Sequence, residues 1–324
     1  MLTSGNVVTT ATILYRSHLK TYLKISLVAS LWLLVPIVLI ILASGISLIF
    51  TTESDSITVL IFFLIATPIW LFLAIYCCAK SWLNSSLISR LSFQELINRP
   101  ESVKQARKAI ASRLWMFFLS GFLVGVIYVI VYILDAIALG IVTIGCAFII
   151  GGIFNSILPG ANAFIGLVTT ILFFFVYVAA FVAFFYILGW YYARLFLIEV
   201  PLAVGRKADA FQALAMSWKF TKNNIRFTLE IVSITCLVNF PLWAIVQIFS
   251  RLLQLLLIGS VDATNDVAVG TTYLLSLALG ILGNVILLPF WQAVKAVTYY
   301  DLCCRQEGLG LALREGKKDR ILSM

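Results

Sequence analysis

"LWMFFLSGFLVGVIYVIVYILDAIALGIVTIGCAFIIGGIFNSIL" runs from Leu114 to Leu158, and how often it crosses a membrane decides the fold. It carries one charge, Asp135, and among its other residues only Ser120, Thr143, Asn155 and Ser156 have small polar side chains. One continuous helix of this length would reach about 67 Å at 1.5 Å per residue, roughly twice the thickness of a bilayer core. The stretch therefore reads as a span, 114–134, followed by a separate apolar insert, 136–163. Gly151-Gly152 and Pro159-Gly160 offer places for that insert to break. The insert is expected to be re-entrant or to lie on the outer surface, with a hairpin of two half-spans as the other option.

The rest of the chain settles the class. It is 62% hydrophobic and 11% charged, where a soluble domain is closer to half apolar and a quarter charged. Long apolar runs give spans at about 24–50, 57–79, 114–134, 165–188, 228–249 and 271–294, each near the roughly 20 residues that a crossing helix needs. None alternates as transmembrane strands do. The expected fold is all-α and integral to the membrane: six transmembrane helices with cytoplasmic amphipathic helices, in one polytopic domain over 1–324. No cleavable leader is expected, because the first apolar run is already span length.

Charge sets the orientation. Of 23 Lys and Arg residues, all but Arg251 fall in four segments: up to Lys24, 80–113, 194–226 and 295–324. Glu53, Asp55, Asp135, Asp262 and Asp266 lie between these segments. By the positive-inside rule both termini are cytoplasmic. An even number of crossings follows, so the insert must return to the side it left. The net charge of +9 is topological, and it draws the cytoplasmic face toward anionic lipid headgroups. A nucleic-acid partner would need a basic polar domain, and none exists.

Three pieces of the chain repeat a pattern of a basic helix, an outward span and a returning span. "ATILYRSHLKTYLKISL" (11–27) aligns with "ALAMSWKFTKNNIRFTL" (213–229), and "TPIWLFLAIYCCAKSW" with "LPFWQAVKAVTYYDLCC". The middle copy opens near "SFQELINRPESVKQARKAIASRLW" and closes at "GWYYARLFLIEVP". This is a pseudo-repeat of helix-span-span units, which is common in transporter folds and also arises in any duplicated bundle. In 210–226 the apolar positions Phe211, Leu214, Ala215, Trp218 and Ile225 share a stripe, and Lys219, Lys222 and Arg226 can reach headgroups. The helix reads as interfacial with Trp218 as its anchor, or as packed beneath the bundle.

Three motifs carry a resemblance. They are the Glu-x-Pro exit at Glu199 and Pro201, "SWKFTKN" at Ser217–Asn223, and "YYDLCCRQEG" at Tyr299–Gly308. Together they resemble the membrane-domain family of glycerophosphodiester phosphodiesterases, which includes stand-alone six-span bacterial membrane proteins. In that family the phosphodiesterase activity belongs to a fused soluble barrel, and no such barrel is present here. The resemblance therefore implies a bacterial inner-membrane or internal-membrane protein with a role in membrane organisation, lipid-related work or partnership. It implies no reaction.

Little in the sequence points to catalysis. The sole histidine, His18, reads as solvated or interfacial, since a zinc site or triad needs more partners. Cys77-Cys78 and Cys303-Cys304 stand at equivalent exits of the repeat and read as small packing residues. Within spans, Glu230 is expected to pair with Arg226 at i,i+4 and Lys295 to snorkel. Asn239, Gln247, Asn284 and Gln292 are the neutral polar groups at depth, suited to bonding between helices or to lining a path. Gly121-x-x-x-Gly125 and Gly280-x-x-Gly283 offer close-packing faces. Tyr299 and Tyr300 read as an aromatic belt, with Asp301 and Arg305 paired along one helix face and Glu307 just beyond, at the start of the tail 301–324. No cofactor or metal is expected.

The leading expectation is a non-catalytic protein that organises membrane lipid or serves as an accessory or assembly partner of a larger membrane complex, with membrane lipids and other membrane proteins as its partners. The alternatives are a transporter or channel for a lipid-like or neutral amphipathic solute, and an inner-leaflet lipid-modifying enzyme using Asp301, Glu307 and Glu199.

Overall fold

A computed structural model describes residues 2–51, 56–157, 163–205, 209–258 and 266–306. Nearly all of those residues are helical, with no strand among them. In chain order the helices are α1 (Ser4–Ser17), α2 (Leu19–Thr51), α3 (Ser56–Leu96), α4 (Val103–Ala111), α5 (Leu114–Ile157), α6 (Ala163–Leu195), α7 (Glu199–Val204), α8 (Ala210–Lys222), α9 (Ile225–Ile258) and α10 (Asp266–Gln306). Six of them are long and apolar enough to cross a membrane. A short helix followed by two long ones occurs three times: α1-α2-α3, α4-α5-α6 and α8-α9-α10.

The break expected at Gly151-Gly152 does not occur, because α5 continues through both glycines to Ile157. Its 44 residues make a helix about 66 Å long. The physical reason is an imbalance of costs. A glycine inside a helix loses about 1 kcal/mol against alanine, whereas an unpaired backbone group in hydrocarbon costs several. Helix α6 then runs back along α5. Pro159 and Gly160 lie outside the described residues. Asp135, which falls between the expected span 114–134 and the insert 136–163, is a buried residue inside α5.

The chain divides into two compact units: Met1–Gly121 with Phe196–Met324, and Phe122–Leu195. In the second unit, α5 and α6 run antiparallel, touching through Tyr128–Tyr192 (6.2 Å between centroids) and Tyr132–Phe184 (5.9 Å). From Thr170 to Tyr192 no described side chain of α6 is buried. Phe174, Phe175, Phe181, Phe185 and Tyr186 are all exposed.

In the first unit the register can be followed along α2 and α3. His18 meets Glu95, Tyr22 meets Ser92, Trp32 meets Tyr76, and Trp70 Nε1 donates to the Pro36 carbonyl. The two helices are therefore antiparallel. Sequence reading ended the third-helix span near 79, but α3 runs on to Leu96. Asn98, at φ 55°, ends it: Arg99 N–H reaches the Gln94 carbonyl and Asn98 N–H the Glu95 carbonyl. This is a left-handed cap of the kind that Gly or Asn supplies, with Pro100 following as a stop.

The extension succeeds because it is lined with small polar residues. Ser81, Ser85, Ser89 and Ser92 recur at helical spacing and are buried, as are Asn84 and Ser86. Their side chains let neighbouring helices approach. Several satisfy themselves on backbone carbonyls, as Ser85 and Ser86 do on Trp82 (2.8 Å each) and Asn84 on Lys80 (2.8 Å). Around α3 lies the core of this unit, which also takes in buried residues of Val7–Leu14 in α1, the start of α9, Val200–Ala203 of α7 and most of Phe290–Cys303 of α10.

The helix 11–27 expected to open the first repeat is two helices, broken at His18. Of these, α1 lies antiparallel along α10, with Tyr15 donating to the Ile286 carbonyl (3.3 Å) and packing on Phe290. Burial raises the Tyr15 phenol above its ordinary pKa. Helix α8 packs through Ala213, Ser217, Phe220 and Thr221 and leaves Phe211 and Trp218 exposed on its other side. The stripe predicted for α8 is thus the outward one.

Candidate functional site

Two polar clusters and one cavity hold several of the candidate residues of the first unit. The first cluster joins α3, α7 and α10. Glu199, at the start of α7, accepts Lys295 Nζ at 3.1 Å and Gln292 Nε2 at 2.7 Å. Gln292 Oε1 accepts a short hydrogen bond from Ser89, whose hydroxyl also lies 3.2 Å from the Gln292 carbonyl. Lys295 sits above the Phe196 ring. Lys295 therefore turns inward to a carboxylate, not outward to headgroups as expected. The Lys295 side chain is largely withdrawn from solvent, and the Glu199 carboxylate supplies it there with a charge-assisted hydrogen bond.

The other end of α7 is held by arginines. Arg90 forms a two-pronged pair with Glu101 (2.9 Å for both contacts) and donates to the Ala203 carbonyl at 2.7 Å. Arg113 donates to the carbonyls of Leu202 and Gly205. Cations at the negative end of a helix satisfy carbonyls that have no partner within it. Burial, together with the nearby charge of Arg90, pulls the Arg113 guanidinium below its ordinary pKa, and Asp209 opposes this.

The second cluster is a clasp on the N-terminal backbone. Asp301 is 2% exposed. It accepts Leu2 N–H at 2.9 Å and Arg305 Nε at 2.5 Å, while Arg305 Nη2 donates to the Leu2 carbonyl at 2.6 Å. The Arg305 guanidinium also lies 4.0 Å above the Phe227 ring. The expected i,i+4 pair exists, but it is buried and shared with a residue about 300 positions away. Two more contacts tie the same corner: Ser4 Oγ donates to Glu230, and Gln306 Nε2 to the Phe220 carbonyl. Glu230 is thus bound to α1, with no ion pair to Arg226 among the described contacts.

Tyr299 is not a belt residue. It is 6% exposed and packs between Phe93 and Phe220, while Tyr300 touches Phe93 from a half-buried position. Lys222 is exposed. Glu307 lies outside the described residues. His18 is not merely solvated, since its Nε2 is 2.8 Å from Glu95. Cys77 and Cys303 are buried.

A cavity of about 550 Å³ opens between α9 and α10. Gln247 and Asn284 both line it, with Ser250, Arg251, Gln254 and Ser276 nearer one end and Trp243, Val246 and Leu287 on its apolar wall. Of the four polar residues read as a possible path, two therefore share one space. Gln292 belongs to the Glu199 cluster, and Asn239 is buried with its Nδ2 unpaired among the described residues. The two small-residue motifs are each half used. An added Cβ at Gly283 would sit 2.6 Å from Val246 and one at Gly121 2.4 Å from Trp82, whereas at Gly280 and Gly125 it would meet nothing within 4 Å.

Sequence reasoning missed Ser89, Ser92, Arg90, Glu101 and Arg113. The four-residue recurrence of serine in "SWLNSSLISRLSF" was the available signal for the first two. Arg113 gave none, because its partners are the backbone carbonyls of Leu202 and Gly205, and for Arg90 the same holds of its bond to the Ala203 carbonyl, beside its pair with Glu101. The three motifs that carried the family resemblance all enter this core: Pro201, Ser217, Thr221, Tyr299 and Asp301 are buried. No family model, curated protein or solved structure matches the chain.

Proposed function

We propose that this chain is a non-catalytic integral membrane protein that organises membrane lipid or serves as an accessory and assembly partner of a larger membrane complex. The observation behind this is the uncovered aromatic face of α6, where Phe174, Phe181, Phe185 and Tyr186 are exposed together. A surface of that kind is covered in a membrane by lipid or by another protein. The resemblance to the phosphodiesterase membrane domains supports the same reading, as does the use of Glu199, Asp301 and Arg305 for structural bonds. The proposed setting is a bacterial inner or internal membrane, with both termini cytoplasmic and the basic segments facing anionic headgroups.

The test is purification of the full chain from its native membrane in mild detergent, with identification of co-purifying proteins and lipids. A stoichiometric partner or a retained lipid is expected, and Phe174, Phe181 and Phe185 changed together to Ala should reduce it. A chain that emerges with neither would sink the proposal.

A second reading, passage of an amphipathic solute, is favoured by the single cavity that Gln247 and Asn284 share. The inner-leaflet enzyme reading gains nothing from Asp301 and Glu199, since each carboxylate is already engaged by its own basic partner.

A further inference from the structure

Arg251 breaks the charge pattern of the chain, being the one Lys or Arg outside the four basic segments. It lies 26 residues beyond Ile225, the start of α9, or about 39 Å along the helix. With a hydrocarbon core about 30 Å thick, that is the headgroup level of the leaflet opposite the basic segments. There it stands at the rim of the α9–α10 cavity.

Its position is organised. Arg251 Nη1 donates to Gln254 Oε1 at 3.1 Å, Gln254 Nε2 donates to Ser276 Oγ at 2.7 Å, and Ser276 and Ser250 share a 2.5 Å hydrogen bond. Gln254 takes one of the five guanidinium donors. Among the described residues no carboxylate lies within ion-pair distance of Arg251. An arginine that only snorkelled to the interface would need neither this relay nor a cavity. Away from Arg251 the lining turns apolar at Trp243, Val246 and Leu287, with the amides of Gln247 and Asn284 interspersed. Gly280 keeps the wall open, since a Cβ there would meet nothing within 4 Å, while Gly283 lets Val246 close in beside it.

We infer that this cavity holds one membrane phospholipid, with its phosphate on Arg251 and the upper part of an acyl chain along Trp243, Val246 and Leu287. A guanidinium fork suits a phosphate geometrically, and at that depth the phospholipid phosphate is the abundant anion. The volume falls in the usual range for small-molecule sites. The inference deepens the lipid-organising half of the proposed function and rests on it.

The experiment titrates the full chain in mild detergent with phosphatidylglycerol, and separately with inorganic phosphate, reading bound species by native mass spectrometry. The wild type should show a one-to-one lipid adduct. Arg251→Gln should weaken it at least about tenfold by loss of a charged contact. Gly280→Leu should weaken it as much by filling the cavity, at a position where the protein leaves room. Lipid bound equally by wild type and both cavity variants would overturn this site and leave lipid binding elsewhere intact. No lipid bound by any form would overturn the site and the lipid-organising reading together. Inorganic phosphate binding as tightly as the lipid would overturn the acyl-chain half. Unfolding temperatures of the two cavity variants confirm that each is folded, and either one alone decides the matter.

Discussion

The two ends of α10 have opposite surroundings. From Phe290 to Cys303 most side chains are buried, touching α1, α3, α7 and α8 through hydrogen bonds and aromatic contacts. From Tyr273 to Ile286 the large apolar residues Tyr273, Leu275, Leu277, Leu282 and Ile286 are exposed. Helix α3 divides the same way, exposed at Leu64–Phe72 and buried over most of Ala79–Ile97. Polarity divides opposite to intuition: the buried ends carry the serines, Gln292, Lys295 and Asp301, and the exposed ends are nearly all apolar. A membrane explains this inversion. Lipid is as good a neighbour for leucine as another helix is, so the apolar halves need no protein cover, and specific structure is made where polar groups must find each other.

That contrast can be broken by mutation. The largest effect is expected at the clasp. Asp301→Ala or Arg305→Ala leaves a buried charge without its partner, a loss of about 3–5 kcal/mol. Denaturant unfolding in detergent would measure it, and a loss below about 1 kcal/mol would show that the clasp does not hold the N-terminus.

A middle effect is expected from paired glycines. Gly121→Leu and Gly283→Leu force side chains into Trp82 and Val246, an overpacking cost of about 1–3 kcal/mol. Gly125→Leu and Gly280→Leu, at open positions, should differ little from wild type. Equal destabilisation at all four would mean that helix propensity or lipid contact, not helix approach, governs them.

The smallest effect is expected at His18. It and Glu95 have side chains 43% and 37% exposed, so His18→Ala should cost no more than about 1 kcal/mol. A larger loss would place this corner inside the packed end and move the boundary between the two regimes outward along α3.

The class, the six long apolar helices and the threefold order of short and long helices were legible because bilayer thickness and helical rise convert length into topology without any knowledge of partners. The Asp301–Arg305 pair was legible for the same reason, since helical spacing alone brings i and i+4 together. Only the tertiary structure decided that the pair grips Leu2, that Lys295 turns inward to Glu199, that Tyr299 is core and not belt, and that Gln247 and Asn284 share a cavity while Gln292 does not. Each of these depends on which distant helix supplies the neighbour. Helical periodicity fixes the face on which a side chain lies but not what that face meets, and so it also left open whether α5 would break at its glycines or run on through them.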